Sequence, residues 1–379
     1  MSPALEGLPG MEANVLAEQA LLGALLLRPR TLAAVAPWLE PEHFYLPHHT
    51  ALFTALCHLA ATGHPAVAEA RPGSEQGLAW VTEATALAAG QAPGLAPSDV
   101  HALVNVCPEP GHAAAYGRMV LAGHARRTLA EHAARLAQTA RRHQDGEPRV
   151  EAVCRQADGL TRALDALAQQ WRPYPGSHTR IAPVPPPAVQ SREEGRLEDE
   201  RAFLSAATTQ PAALKEVRAY LHAEDFAEPV HAGLFGCLAA LVHRGEAIDP
   251  VTVVWEAQHR GLLTHTTPEA ILTTCAPSGA DPAYWASRVL RHSLLETAAT
   301  TADCIGHLAA DPTLTPHQLI TATHRALGDL TAVRLRWHRT HPGQDRAVPA
   351  GRSTPPPAPR PRDRPPPTAA APRIAVRTR

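Results

Sequence analysis

The sequence predicts an all-α protein: two tandem helical-bundle domains, each followed by a helical hairpin, with a Pro-rich linker between them and a disordered basic tail. Three observations predict it. Hydrophobic residues make up 45% of the 379 residues but aromatics only 4%, and much of the remainder is alanine, a mixture that favours helix on helix over a β-sandwich. Apolar residues recur at three- and four-residue spacing, with no competing run of alternating β-branched residues. And the chain repeats itself. "EHFYLPHHTALFTALCHLAATG", from Glu42 to Gly63, returns as "EDFAEPVHAGLFGCLAALVHRG", from Glu224 to Gly245, with nine of twenty-two positions identical and no gap.

An offset of 182 residues extends the match back to Glu18 and Glu200, giving 17 identities over 46 positions. That exceeds the tenth or so that composition alone would give, so duplication explains it. The boundaries that follow are a flexible N-terminus at 1–11, a first copy at 12–171, a linker at 172–196, a second copy at 197–338 and a tail at 339–379.

The first bundle opens with Val15, Leu16, Gln19, Leu22 and Leu26 on one helical stripe. Leu52, Phe53 and Leu56 form another, and their counterparts are Leu234, Phe235 and Leu238. Phe44 and Phe226 read as core residues of the two bundles. Extra residues in the first copy read as a loop around "ARPGSEQG". Helix starts are marked by Thr267-Pro268-Glu269, Asp281-Pro282 and Thr315-Pro316-His317-Gln318, the last a capping box with proline in the first turn.

Each copy closes on a hairpin. In the first, one helix covers about Gly111 to His143 and a second runs from about Arg149 to Trp171, with "QDGEPR" turning the chain. Leu160, Leu164, Leu167 and Trp171 lie on one stripe of that second helix. Leu330, Val333 and Trp337 do the same in the second copy. A lone hairpin buries one face of each helix, so a leftover stripe calls for a partner hairpin. These seven residues are the candidate hairpin interface. Arg126, Arg127, Arg141 and Arg142 read as a solvated face of the first hairpin.

The linker "RPYPGSHTRIAPVPPPAVQSREEG" reads as extended and semi-rigid because proline lacks the N–H that helix and sheet need. Net charge is −1 overall, but eight arginines against Asp345 and Asp363 make the tail basic. "PPPAPRPRDRPPP" has too little apolar content to fold. Arg360, Arg362, Arg364, Arg373, Arg377 and Arg379 are candidate phosphate-binding residues there.

Several chemistries are excluded by residue type. Six cysteines show no Cys-x-x-Cys pair and no zinc-type spacing with histidine. Cys107 and Cys275 occupy matched positions and read as buried small residues. His48 and His49 do not read as metal ligands, since only His49 recurs, as His231. No nucleophile–base pair stands out. No signal peptide or apolar run of membrane-spanning length is present, which reads as a cytoplasmic protein with no membrane role.

The order of these motifs resembles the N-terminal domain of the DnaB-type bacterial replicative helicase. It is carried by "LAEQALLGALLL" from Leu16, "PEHFY" from Pro41 and "HTALFTAL" from His49 in the first copy. In the second it is carried by "DERAFLSAA" from Asp199, "AEDF" from Ala223, "HAGLFGCL" from His231 and "GEAIDPVTVVWEAQHRGLL" from Gly245. The first copy lacks a clean version of this last stretch. The resemblance implies a small helical bundle followed by a hairpin that pairs with another subunit's hairpin, in a collar that docks the primase. It implies no catalytic residues and no cofactor in this domain.

The family's motor is a separate ATPase domain, whose phosphate loop needs Gly-Lys-Ser/Thr because the lysine reaches the β- and γ-phosphates. The single lysine here, Lys215, sits in Ala213-Leu214-Lys215-Glu216 with no glycine beside it, and no room for such a domain follows the second copy. The expected function is therefore a non-catalytic, replication-associated adaptor that binds a replicative helicase, primase or loader. Its hairpins are expected to pair as an intramolecular pseudo-dimer, with higher oligomers left open. The alternative is a DNA-binding accessory protein that uses its basic tail.

Overall fold

A computed structural model of the chain describes residues 11–69, 74–142, 147–171 and 194–341. Residues 172–193 of the linker and the tail arginines named above lie outside the described residues; the linker's last three positions are already helical, since a helix begins at Glu194. Among those described there are fifteen α-helices and no strand, and those up to Thr340 form one compact unit.

The first half begins with α1 (Met11–Leu27), α2 (Leu32–Val35) and α3 (Pro47–Ala61). They are followed by α4 (Ala66–Glu69), α5 (Glu75–Gln91) and α6 (Pro97–Val106), then a hairpin of α7 (Ala113–Ala140) and α8 (Glu147–Gln170). The second half repeats the plan. Its bundle holds α9 (Glu194–Thr209), α10 (Pro211–Val217), α11 (Pro229–Arg244), α12 (Pro250–His259) and α13 (Pro268–Thr274), and its hairpin is α14 (Pro282–Ala310) and α15 (Pro316–Thr340).

Local chemistry sets these limits. Prolines open α3, α6 and every helix from α10 to α15, at the first helical positions, where no N–H is missed. At α15 the Thr315 hydroxyl accepts from the Gln318 N–H while the Gln318 side chain accepts from the Thr315 N–H at 2.9 Å, closing the capping box. Asp281 and Thr267 cap α14 and α13. The glycine that ends each copy of the repeat has a reason: Gly63 (φ +79°) and Gly245 (φ +71°) both terminate a helix in the left-handed region that disfavours a Cβ.

The middle of the first copy differs from the expected loop. Ser74 accepts from the Gly77 N–H and starts the 17-residue α5, so "SEQG" begins a helix where α12 has only 10 residues. The other half of that stretch, residues 70–73, lies outside the described residues.

The core divides unevenly. One hydrophobic cluster holds the first bundle, from Ala17 to Leu121. The other holds the whole second half together with the first hairpin, from Ala125 to Leu167. α7 and α14 pack against each other more extensively than any other pair, and α8 packs on α15.

Candidate interaction sites: a buried Glu–His pair and the joined hairpins

Each bundle is organised around one buried acid. Glu18 on α1 is fully buried, and its carboxylate accepts from the Tyr45 N–H at 2.7 Å and lies 2.8 Å from His49 Nδ1. Glu200 on α9 does the same with the Ala227 N–H at 2.7 Å and His231 Nδ1 at 2.7 Å. These bonds staple the chain before α3 and α11 to the first helix of each bundle, and a buried carboxylate needs such partners. His49 and His231 are thus held by carboxylates. Among the described residues no group of three His, Cys, Asp or Glu side chains could hold a metal ion.

The apolar residues of the repeat sit around this pair. Phe44, Leu52, Phe53 and Leu56 are buried in the first bundle, with the Phe44 and Phe53 rings 4.9 Å apart. Phe226, Leu234, Phe235 and Leu238 are buried in the second, with Phe226 and Phe235 5.3 Å apart.

The hairpin stripes lie in the shared cluster. Leu160, Leu164 and Leu167 of α8 are buried in it, as are Leu330, Val333 and Trp337 of α15. Trp171 is partly buried and packs against both clusters, so it sits at the seam between the first bundle and the hairpins.

The arginines of α7 do not form the solvated face expected of them. The Arg126 guanidinium crosses to the other half and donates to the carbonyls of Asp311 (2.5 Å) and Leu314, beyond the last turn of α14. Helix C-termini leave carbonyls unpaired, and a cation there is favoured twice, by hydrogen bonding and by the dipole. Arg127 is buried, donates to the His43 carbonyl at 2.6 Å and lies over the Tyr45 ring. Arg141 is exposed but pairs with Asp303, and Arg334 of α15 pairs with Asp158 of α8 at 2.5 Å. Arg142 is exposed, as read from the sequence. A charge run gives no signal for the direction in which a long helix will be packed, so position alone could not have sorted these four.

The two bundles diverge one residue before the repeated phenylalanine. In the second, Asp225 is fully buried. It receives Arg336 of α15 through both guanidinium nitrogens (2.5 and 3.1 Å) and the Ser293 hydroxyl of α14 at 2.6 Å, and it caps the His222 N–H at 2.7 Å. In the first, the same position is His43. Its Nδ1 accepts from the Glu40 N–H at 3.0 Å, and its ring packs on His124 of α7 at 4.6 Å. Burial lowers both pKa values, that of His124 to about 4.

Sequence reasoning did not find the Glu–His pair, although a signal was there. Glu and His recur in both copies at the same 31-residue separation. All six cysteines are free, and burial pushes the thiols of Cys57, Cys237 and Cys275 up to about 11. Cys275 is buried as expected; Cys107 is only partly so. No helix among the described residues is long and apolar enough to cross a membrane.

Compared with known families, the chain matches the DnaB-like helicase N terminal domain twice, over residues 10–68 and 192–289. The first match ends just before α5, where the first copy departs from the shared plan. The second runs on through α12 and α13 into α14. No curated protein matches the chain.

Proposed function

We propose that this chain is a non-catalytic adaptor in DNA replication: two helicase N-terminal-like domains in one polypeptide that bind a replicative helicase, its primase or its loader by helix packing. The observation that carries this reading is the double match combined with the packing of the two hairpins on each other. The resemblance implies hairpins that pair between two subunits. Here the equivalent pairing lies within one chain, an intramolecular pseudo-dimer. A linker of about 25 residues holds the partners at roughly millimolar effective concentration, which favours this closed form over exchange with another chain.

The closed form also narrows how a partner is met. Leu160, Leu164, Leu167, Leu330, Val333 and Trp337 are already covered, so they are not free to receive a foreign hairpin. Binding through the outward surfaces requires no opening and is the favoured route.

A pull-down against the cell's own helicase and primase tests this, with protein lacking residues 340–379 run alongside. Retention of the shortened protein at micromolar concentration supports the adaptor. Retention of neither partner by the full chain abandons it. Steady ATP hydrolysis by pure protein would remove the non-catalytic assignment. The second reading, DNA binding through the tail, rests on the tail's arginines. It predicts DNA retention that weakens steeply with salt and disappears with residues 340–379.

A further inference from the structure

We propose that the contact between the first bundle and its own hairpin is a proton-operated latch: protonation of His43 and His124 loosens the first bundle from α7, while the second bundle keeps its hold. The latch lies where α7 passes from one core to the other, since Leu121 belongs to the first cluster and Ala125 to the second. There the His43 and His124 rings meet at 4.6 Å. Arg127, one turn along α7, donates to the His43 carbonyl at 2.6 Å and lies 5.4 Å from the Tyr45 ring.

This arrangement requires neutral imidazoles. His43 Nδ1 accepts from the Glu40 N–H at 3.0 Å, so its own proton sits on Nε2. A second proton turns that acceptor into a donor facing a donor. It also places a cation beside Arg127, whose Nη1 is buried and finds no partner among the described residues. Charging His124 adds another cation to the same contact. Its neighbour, the Thr128 hydroxyl at 3.3 Å, carries no charge to offset it.

The carboxylates nearby do not reverse this. Glu40 lies 4.0 Å from His43 Nε2 but is 73% exposed, where water screens it. Glu42 faces His43 as well. Glu131 and Glu18 face Arg127, and Glu18 is already engaged by the Tyr45 N–H and His49. Burial outweighs all of them and lowers the pKa of both histidines, that of His124 to about 4.

The second half lacks the latch. The match of Tyr116 with Tyr284 places His292 at the position of His124. Its Nε2 lies 2.8 Å from the Asp199 carboxylate, so a proton there gains a counter-charge. Asp225 replaces His43 and holds Arg336, and Leu295 stands where Arg127 does. Mild acid therefore acts on one join and spares the other. This inference does not depend on any partner of the chain.

Hydrogen exchange of the full-length protein tests it, read by mass spectrometry and corrected for the pH dependence of the intrinsic rate. With an open-state pKa near 6.5, proton uptake by His124 alone raises opening about thirty-fold between about pH 7.5 and about pH 5. Protection over residues 40–50 should fall by at least that factor, with residues 222–232 unchanged. His43→Asn keeps an acceptor for the Glu40 N–H but takes up no proton, and His124→Gln removes the second site. Each should reduce the fall, and the double variant should abolish it. His43→Asp, which carries the second half's residue and sets a carboxylate beside Arg127, should hold the first bundle closed in mild acid. The proposal is overturned if protection falls equally in both halves or stays constant in the first. It also falls if the double variant keeps the original response, or if His43→Asp opens in acid as the unaltered protein does.

Discussion

The first and second bundles keep the same buried acid–histidine staple and differ in what ties each bundle to its hairpin. In the second, Asp225 receives Arg336 and Ser293, so the bundle and both hairpin helices meet at one charged centre. In the first, His43 sits at that position, and the tie is a histidine pair plus one arginine on a carbonyl. The cap on the preceding turn survives the exchange, because a carboxylate oxygen and an imidazole nitrogen can each accept the same N–H. What a duplicated fold must retain is the hydrogen bond to the backbone. The charge behind that bond is free to change.

Breaking the charged centre should give the largest contrast. Asp225→Ala leaves Arg336 buried without its partner and should cost about 3–5 kcal/mol. His43→Ala removes one cap and should cost about 1 kcal/mol. Urea unfolding midpoints compare the two, and equal losses would show that the two positions are equivalent after all.

Tryptophan offers a second contrast. Trp80 on α5 is fully buried and donates to the Leu25 carbonyl at 3.2 Å, whereas Trp255 on α12 is 64% exposed. Trp80→Ala should cost about 3–5 kcal/mol and Trp255→Ala less than about 0.5 kcal/mol. Acrylamide should quench the Trp255 fluorescence readily and leave that of Trp80 nearly untouched.

Arg126 sharpens the comparison at the join. Arg126→Ala should cost about 1.5–3 kcal/mol, since hydrogen bonds from a charged donor are the stronger kind. Arg141→Ala, which removes the exposed pair with Asp303, should cost under about 1 kcal/mol. Comparable losses in the two would mean that the capping of α14 contributes little to the join.

Acid gives the most selective effect. His43 and His124 are held neutral by burial, so their folded pKa values lie below the unfolded 6.5. The unfolded chain binds more protons between pH 6.5 and about 4, and stability should fall as pH drops through that window. His43 has a second reason to resist charging, because a protonated Nδ1 cannot accept from Glu40. His124→Gln should flatten the dependence, and an unchanged profile would place the proton uptake elsewhere.

Much of this was legible in the sequence. Helix starts could be read from Thr315, Asp281 and Thr267 because a cap acts within four residues. The buried faces could be read from Leu160, Leu164 and Leu167 because helical spacing is itself local. The arginines could not. Arg126 and Arg127 differ by one position, yet one caps a helix of the other half and the other is buried over Tyr45. Nor could the pairing of Asp225 with Arg336, which exists only because α15 returns to the second bundle.

By itself, then, the sequence determined the helices, their caps, the duplication and the residues that must be buried, since each follows from neighbours within a few turns. Only the tertiary structure decided that the first hairpin, whose opening turns at Ala113, Val120 and Leu121 pack into its own bundle, shares the rest of its core with the second half. That choice depends on which apolar faces meet across more than a hundred residues of chain, and spacing within one helix carries no record of it.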